Sequence, residues 1–174
     1  VKLITTTRHS DARGYFCETF RRDAFARQGI DRDFIQDNES GSDRPGTIRG
    51  LHFQRPPFAQ TKLVRVLLGR ILDVSVDLRR SSRTFGQHVI AELRGGTDEQ
   101  LLVPTGFAHG FCTLEPDTVV SYKVDQLYSP SHDGGVSWAD PRLAIDWPVA
   151  AADAILSEKD GGLPKLDQLG PIFE

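Results

Sequence analysis

Three places in the chain hold side chains suited to moving protons. In Arg49-Gly50-Leu51-His52-Phe53-Gln54 a guanidinium and an imidazole stand close together on an apolar segment, with a glycine between them. Regular strand alternation points Arg49 and His52 to opposite faces. A glycine inside a strand often marks a bulge that re-aims its neighbours, so the two side chains can converge. In Pro104-Thr105-Gly106-Phe107-Ala108-His109-Gly110-Phe111 a proline and glycine turn delivers His109 into an aromatic setting. The third place is a pair: Lys62, sharing a strand face with Val64 and Val66, and Tyr122, sharing one with Val120 and Val124. An ammonium on an inward face needs an anionic partner or a functional reason, and Asp73 is a candidate partner. Each group also has an ordinary reading: a satisfied core histidine, a lysine snorkelling from a strand end, a core tyrosine with its hydroxyl at the rim.

The elements that must carry these residues are short strands. From Leu72 to Leu78 the sequence alternates, with Leu72, Val74, Val76 and Leu78 on one side and Asp73, Ser75 and Asp77 on the other, which predicts a strand with one polar face. Gly69-Arg70 separates it from a preceding strand that begins at Lys62. Further apolar runs follow at Val89 to Leu93, Gln100 to Val103, Gly110 to Leu114 and Val119 to Val124, divided by turn signals such as Gly95-Gly96 and Glu115-Pro116. Many short strands at this spacing predict an all-β sandwich or barrel of the jelly-roll kind with a few short helices. One helix is expected over Arg21 to Gln28, closed by Gly29, and another near Ser157. With 174 residues and 39% hydrophobic residues, a single domain over 1–174 is expected, with 150–174 wrapping the barrel.

Composition excludes several classes of partner. A net charge of −3 and a pI near 6.0, with no Lys/Arg-rich run, leave nothing to neutralise a phosphate backbone, so no nucleic acid is expected. The first eleven residues are too polar for a secretory signal and no stretch approaches the length of a spanning helix, so no membrane is expected and the cytoplasm is the expected location. Cys17 and Cys112 are too few for a disulfide framework and read as buried small hydrophobes. Pro-x-Gly-x-x-His ending at His109 is the second half of the cupin metal motif, but where the first half needs His-x-His the chain has His52-Phe53-Gln54. One certain histidine plus His109 is a poor donor set, so no metal is expected.

Taken together, Asp11 to Phe16 with Glu18, Gln36-Asp37-Asn38, Ile48 to Gln54, Lys62-Leu63-Val64, Asp73 to Arg79, Pro104 to Phe111, Tyr128-Ser129-Pro130, Trp138 to Pro141, Trp147-Pro148 and Leu156 to Asp160 resemble, in order and spacing, the dTDP-4-dehydrorhamnose 3,5-epimerase family. The resemblance implies a cofactor-free isomerase that converts dTDP-4-dehydro-6-deoxy-D-glucose to dTDP-4-dehydro-L-rhamnose. It implies His52 as the base removing a proton beside the C4 ketone, Asp160 as its orienting carboxylate, Lys62 as the cation at the developing enolate, Asp73 as the group holding Lys62, and Tyr122 as the acid on the opposite face. Asp160 also reads as part of a capping box with Ser157. By the same resemblance Arg13, Glu18, Gln36, Asn38, Arg49, His109, Asp133 and Lys159 contact the nucleotide or sugar. A homodimer is implied in which an N-terminal strand crosses to the partner, so that Arg13 and Glu18 complete the neighbour's site. Asp133 stands where the family usually has glutamate, and His9 where many relatives carry an aromatic. Rival expectations are a C3-only or C5-only epimerase of a related dTDP-4-keto sugar, and, from another class, a metal-dependent or non-catalytic sugar-binding cupin.

Overall fold

The computed structural model describes residues 1–174. Its strands are β1 (Lys2–Thr5), β2 (Arg8–Asp11), β3 (Gly14–Cys17), β4 (Gln36–Ser42), β5 (Ile48–Gln54), β6 (Lys62–Leu68), β7 (Arg70–Asp77), β8 (His88–Arg94), β9 (Glu99–Val103), β10 (Phe107–Thr113), β11 (Thr118–Val124) and β12 (Asp133–Gly135). The two α-helices are α1 (Arg22–Arg27) and α2 (Glu158–Gly161), and a 3-10 turn follows at Leu166–Gln168. Strands β1-β9-β6-β11-β4 form one antiparallel sheet and β12-β5-β10-β7-β8 a second, while β2 and β3 form a separate hairpin.

The strand order follows from one long antiparallel pairing. Strands β4 to β7 lie against β8 to β11 as β4·β11, β5·β10, β6·β9 and β7·β8; wrapping this ribbon adds the ladders β6·β11 and β7·β10. That is a jelly roll of two facing sheets, cupin-like and all-β, and the sheets do not close into a continuous barrel. Between the sheets, Val64, Val66, Ile71, Leu93, Leu101, Val103, Phe111 and Val120 form an apolar cluster. Full burial of each such side chain contributes about 1.5–3 kcal/mol.

The alternation in β7 produces a strand buried on both faces. Val74, Val76 and Leu78 turn away from the intersheet space and pack with Leu51, Phe53, Val136, Leu143, Leu169 and Phe173. The C-terminal segment therefore covers the apolar face of β7, and the polar face, with Asp73, Ser75 and Asp77 each no more than 1% exposed, looks inward. Periodicity separates the two faces but does not show which side later chain will cover.

Helix α1 lies inside the expected span, and Gly29 follows it with φ +76°, a left-handed stop. Helix α2 starts after Ser157, whose Oγ accepts the Asp160 backbone N–H at 3.1 Å. Cys112 is buried, whereas Cys17 is only half-buried, with its Sγ 3.1 Å from Thr6 Oγ1. No helix is long and apolar enough to cross a membrane.

Candidate active site

The glycine in β5 does what a bulge requires. His109 pairs with His52 and Phe111 with Arg49, so Gly110 alone faces two residues, Gly50 and Leu51. A Cβ on Gly50 would lie 2.6 Å from Gly110 Cα, one on Gly110 2.6 Å from Arg49 O, and Gly50 has φ +132°. Only glycine at both positions permits this approach. The bulge offsets the alternation, so Arg49 and His52 line the same cleft.

That cleft has two lobes between the sheets, of about 440 and 320 Å³, which share His52, Lys62, Tyr122 and Lys159. His52 and His109 project from the second sheet, Lys62 and Tyr122 from the first. Arg49 and Ser40 stand in the larger lobe, Gln36, Asn38, Tyr128 and Asp133 in the smaller. These volumes are in the range of small-molecule sites.

His52 Nε2 lies 2.6 Å from Asp160 Oδ1, and the Gly50 backbone N–H donates to Asp160 Oδ2 at 3.3 Å. Asp160 thus uses its backbone N–H in the Ser157 cap and its carboxylate on β5, so only the first half of the expected capping box forms and the carboxylate goes to His52 and Gly50. Burial pushes the Asp160 carboxyl up, but hydrogen bonds from His52, Gly50 and Ser157 outweigh it and hold it below its ordinary value. An ionised Asp160 accepts the Nε2 hydrogen and leaves His52 Nδ1 free to take a proton.

Lys62 donates to the His52 carbonyl at 3.4 Å. Burial lowers its pKa to about 8 against the opposing pull of Asp73 and Asp133. Asp73 has a nearer partner than the sequence suggests: its Oδ2 is 2.7 Å from His109 Nε2, while Oδ1 is buried with no partner. Asp73 acts on Lys62 through space, and its hydrogen bond goes to His109. Burial raises the Tyr122 pKa, Asp133 adds to the rise and Arg49 opposes it, so the phenol stays protonated at neutral pH.

Arg49 donates to Gly41 O at 2.7 Å and to Ser42 Oγ at 3.2 Å, which fixes the guanidinium at the rim. Gln36 Nε2 donates to Asn38 Oδ1 at 2.8 Å. Asp133 accepts from Lys159 Nζ and, at 3.3 Å, from the Tyr128 hydroxyl. Its carboxylate is therefore already engaged by protein groups, whatever the missing methylene does to its reach. Tyr128 emerges as a cleft residue whose only signal in the sequence was its place in Tyr128-Ser129-Pro130.

Three expected residues do not line this cleft, and one of them, Asp73, is fully buried and reaches it only through His109. Arg13 sits at the β2–β3 turn, paired with Asp11 and with a side chain 91% exposed, and Glu18 pairs with Arg21 beside β1 and α1. Gln54, at the position a second metal-ligating histidine would take, is buried with its amide bound to backbone groups. No group of three His, Cys, Asp or Glu side chains is placed to share a metal ion.

Residues 1–168 match the family model described as dTDP-4-dehydrorhamnose 3,5-epimerase. The chain is 51% identical over 174 residues to the Sinorhizobium fredii dTDP-4-dehydrorhamnose 3,5-epimerase, covering 100% of this chain and 89% of that protein. Among solved structures it is similar to the Bacillus anthracis dTDP-4-dehydrorhamnose 3,5-epimerase with TDP and pyrophosphate bound: TM-score 0.91, 52% identity, 94% of this chain and 92% of that one. It is also similar to a Legionella pneumophila dTDP-6-deoxy-D-glucose-3,5-epimerase in complex with dTDP-4-keto-L-rhamnose, with TM-score 0.90, 39% identity, and 97% and 88% covered.

Proposed function

The chain belongs to the dTDP-4-dehydrorhamnose 3,5-epimerase family, and from that membership we propose that it epimerises dTDP-4-dehydro-6-deoxy-D-glucose at C3 and C5 to give dTDP-4-dehydro-L-rhamnose. It is an isomerase. The observation that carries the division of labour is that His52, bonded to Asp160 of α2, stands on one sheet and a lysine and a neutral tyrosine stand on the sheet facing it, around one cleft.

In the proposed cycle His52 Nδ1 takes the proton from the carbon beside the C4 ketone while Asp160 holds the Nε2 hydrogen. The electron pair moves onto the C4 oxygen. The Lys62 ammonium stabilises that charge more in the enolate than in the ketone, which lowers the barrier. His109, oriented by Asp73, lies on the same side of the cleft beside the reacting sugar. Tyr122 then gives its hydroxyl proton to the opposite face of the planar carbon, and inversion results. His52 and Tyr122 regain their starting states by exchange with water, and the same cycle serves C3 and C5. No cofactor enters these steps.

Arg49 and Lys159 supply positive charge for the diphosphate, and Gln36, Asn38 and Asp133 line the lobe for the rest of the substrate. We assign Arg13 and Glu18 to the neighbour's cleft in a homodimer with exchange of the N-terminal strand. In support, both point away from their own cleft, and Tyr15 and Phe16 on the same hairpin are 53% and 69% exposed. One domain, 1–174, carries the activity, with 150–174 as its wrap. A cytoplasmic location fits two free thiols and a nucleotide-sugar substrate.

Incubation of the substrate in D2O, with a reductase to trap product, tests the reading. Deuterium at both C3 and C5 is expected. Label at one carbon would select a C3-only or C5-only epimerase, and label at neither would reject epimerisation of this substrate. Mixing an Arg13→Ala chain with a His52→Ala chain tests the exchange: mixed dimers regain one complete cleft and activity returns, whereas no recovery would place Arg13 elsewhere.

A further inference from the structure

Gln54 ends β5 two residues after His52 and is 3% exposed. Both hydrogens of its Nε2 are used, on Phe58 O at 2.7 Å and Leu127 O at 3.1 Å, and its Oε1 accepts the Ser129 N–H at 2.7 Å. One amide thus ties the loop after β5 to the loop after β11. Because Gln54 also pairs in register with Asp133, the segment from Leu127 to Asp133 is anchored at both ends to a single residue. That segment carries Tyr128 and Asp133, which join through the tyrosine hydroxyl and wall the smaller lobe.

We infer that Gln54 is a positioning residue for substrate binding: its side-chain amide sets the Leu127–Asp133 wall of the smaller lobe against the β5 edge. The inference rests on the epimerase reading of this cleft and adds to it a residue that borders the smaller lobe with its side-chain amide spent on backbone groups of the two loops. An imidazole cannot replace these three bonds, since it lacks the second hydrogen on one atom and the adjacent oxygen acceptor. A carboxylate of the same shape cannot either, because it has no hydrogen for Phe58 O and Leu127 O, and two carbonyls would face its negative charge. The same loops also meet where the Arg55 N–H donates to His132 O at 2.8 Å, Gln60 Nε2 donates to Gln126 O at 2.8 Å and the Phe58 ring packs on His132, while Gln36 Oε1 accepts the Tyr128 N–H; among these groups Gln54 alone reaches both Leu127 and Ser129, the residues on either side of Tyr128.

The test uses Gln54→Glu and the milder Gln54→Asn, which keeps the amide but withdraws it by one methylene. The expected result is a rise in KM of about tenfold or more with kcat within about threefold, the signature of binding lost equally from ground state and transition state. Amide hydrogen exchange in residues 126–133 should quicken while that in β6 stays as in wild type. A fall in kcat and in deuterium wash-in at constant KM would overturn the inference by putting Gln54 in the chemistry. Faster exchange with unchanged KM would overturn it by making Gln54 a purely structural tie, and unchanged exchange would remove the anchor itself. If Gln54→Glu does not fold, Gln54→Asn decides by the same readings. Wild-type protein that incorporates no deuterium would reject the epimerase reading independently of either variant.

Discussion

Strand β7 carries two inward-facing aspartates, Asp73 and Asp77, four residues or about 13 Å apart, and they are treated in opposite ways. Asp77 is saturated: Arg79 donates through Nε at 2.9 Å and Nη2 at 2.7 Å, Ser82 Oγ at 2.6 Å, Thr84 Oγ1 at 2.7 Å and the Arg79 backbone N–H at 3.0 Å. Asp73 has His109 on one oxygen and nothing on the other. Both are at most 1% exposed, so burial does not distinguish them. A buried carboxylate with every lone pair answered is a fastening; one left partly unanswered beside a lysine keeps electrostatic influence for that lysine and its cleft. The same strand is structural at one end and functional at the other, and the contrast lies in hydrogen-bond saturation.

Asp73→Asn is the variant that bears hardest on this contrast. It should lower kcat/KM by about 10²–10³, within the range found for lost acid–base or electrostatic groups, while the melting temperature barely moves. Loss of stability with activity intact would erase the distinction. Asp77→Asn should do the opposite, costing about 2–3 kcal/mol in denaturant unfolding, a figure reduced because Arg79 is partly solvated, with kcat unchanged. The two ends also part on pH. Burial pushes the Asp77 carboxyl up, but the bonds from Arg79, Ser82 and Thr84 together bring it well below the usual range. Its stabilisation is therefore present above the unfolded value of about 4 and is lost as pH falls below that. At the Asp73 end Lys62 loses its proton near pH 8, so kcat/KM should decline about tenfold per unit above that, and a flat profile to pH 10 would contradict its role. The smallest effect is expected from Ser157→Ala, which removes the cap on Asp160's backbone N–H. It should cost about 1 kcal/mol of stability and a few-fold in kcat through a looser His52–Asp160 pair.

How much of this was legible in the sequence depended on whether a signal was local. The alternation from Leu72 to Leu78 and the glycine between Arg49 and His52 are local, and both predicted their strands and the bulge. Strand β4, Gln-Asp-Asn-Glu-Ser-Gly-Ser, has no apolar period and is a sheet edge, so nothing in its pattern announces it. Strand β12, Asp-Gly-Gly, reads as a turn and becomes a strand only because β5 offers it an edge. The His52–Asp160 pair spans 108 positions and the Asp73–His109 pair 36, distances at which spacing carries no information. For Asp160 the resemblance supplied the pairing. For Asp73 the sequence suggested Lys62, because it could not show that His109 is carried beside Asp73 by the β7·β10 ladder.

The facing placement of His52 and Tyr122 is tested most directly by following deuterium and configuration together in Tyr122→Phe. The account predicts that the hydrogens at C3 and C5 still exchange with D2O, because His52 and Asp160 remain, while trapped inverted product falls far more than exchange does. Inversion kept at the wild-type ratio to exchange would contradict it, as would equal loss of both.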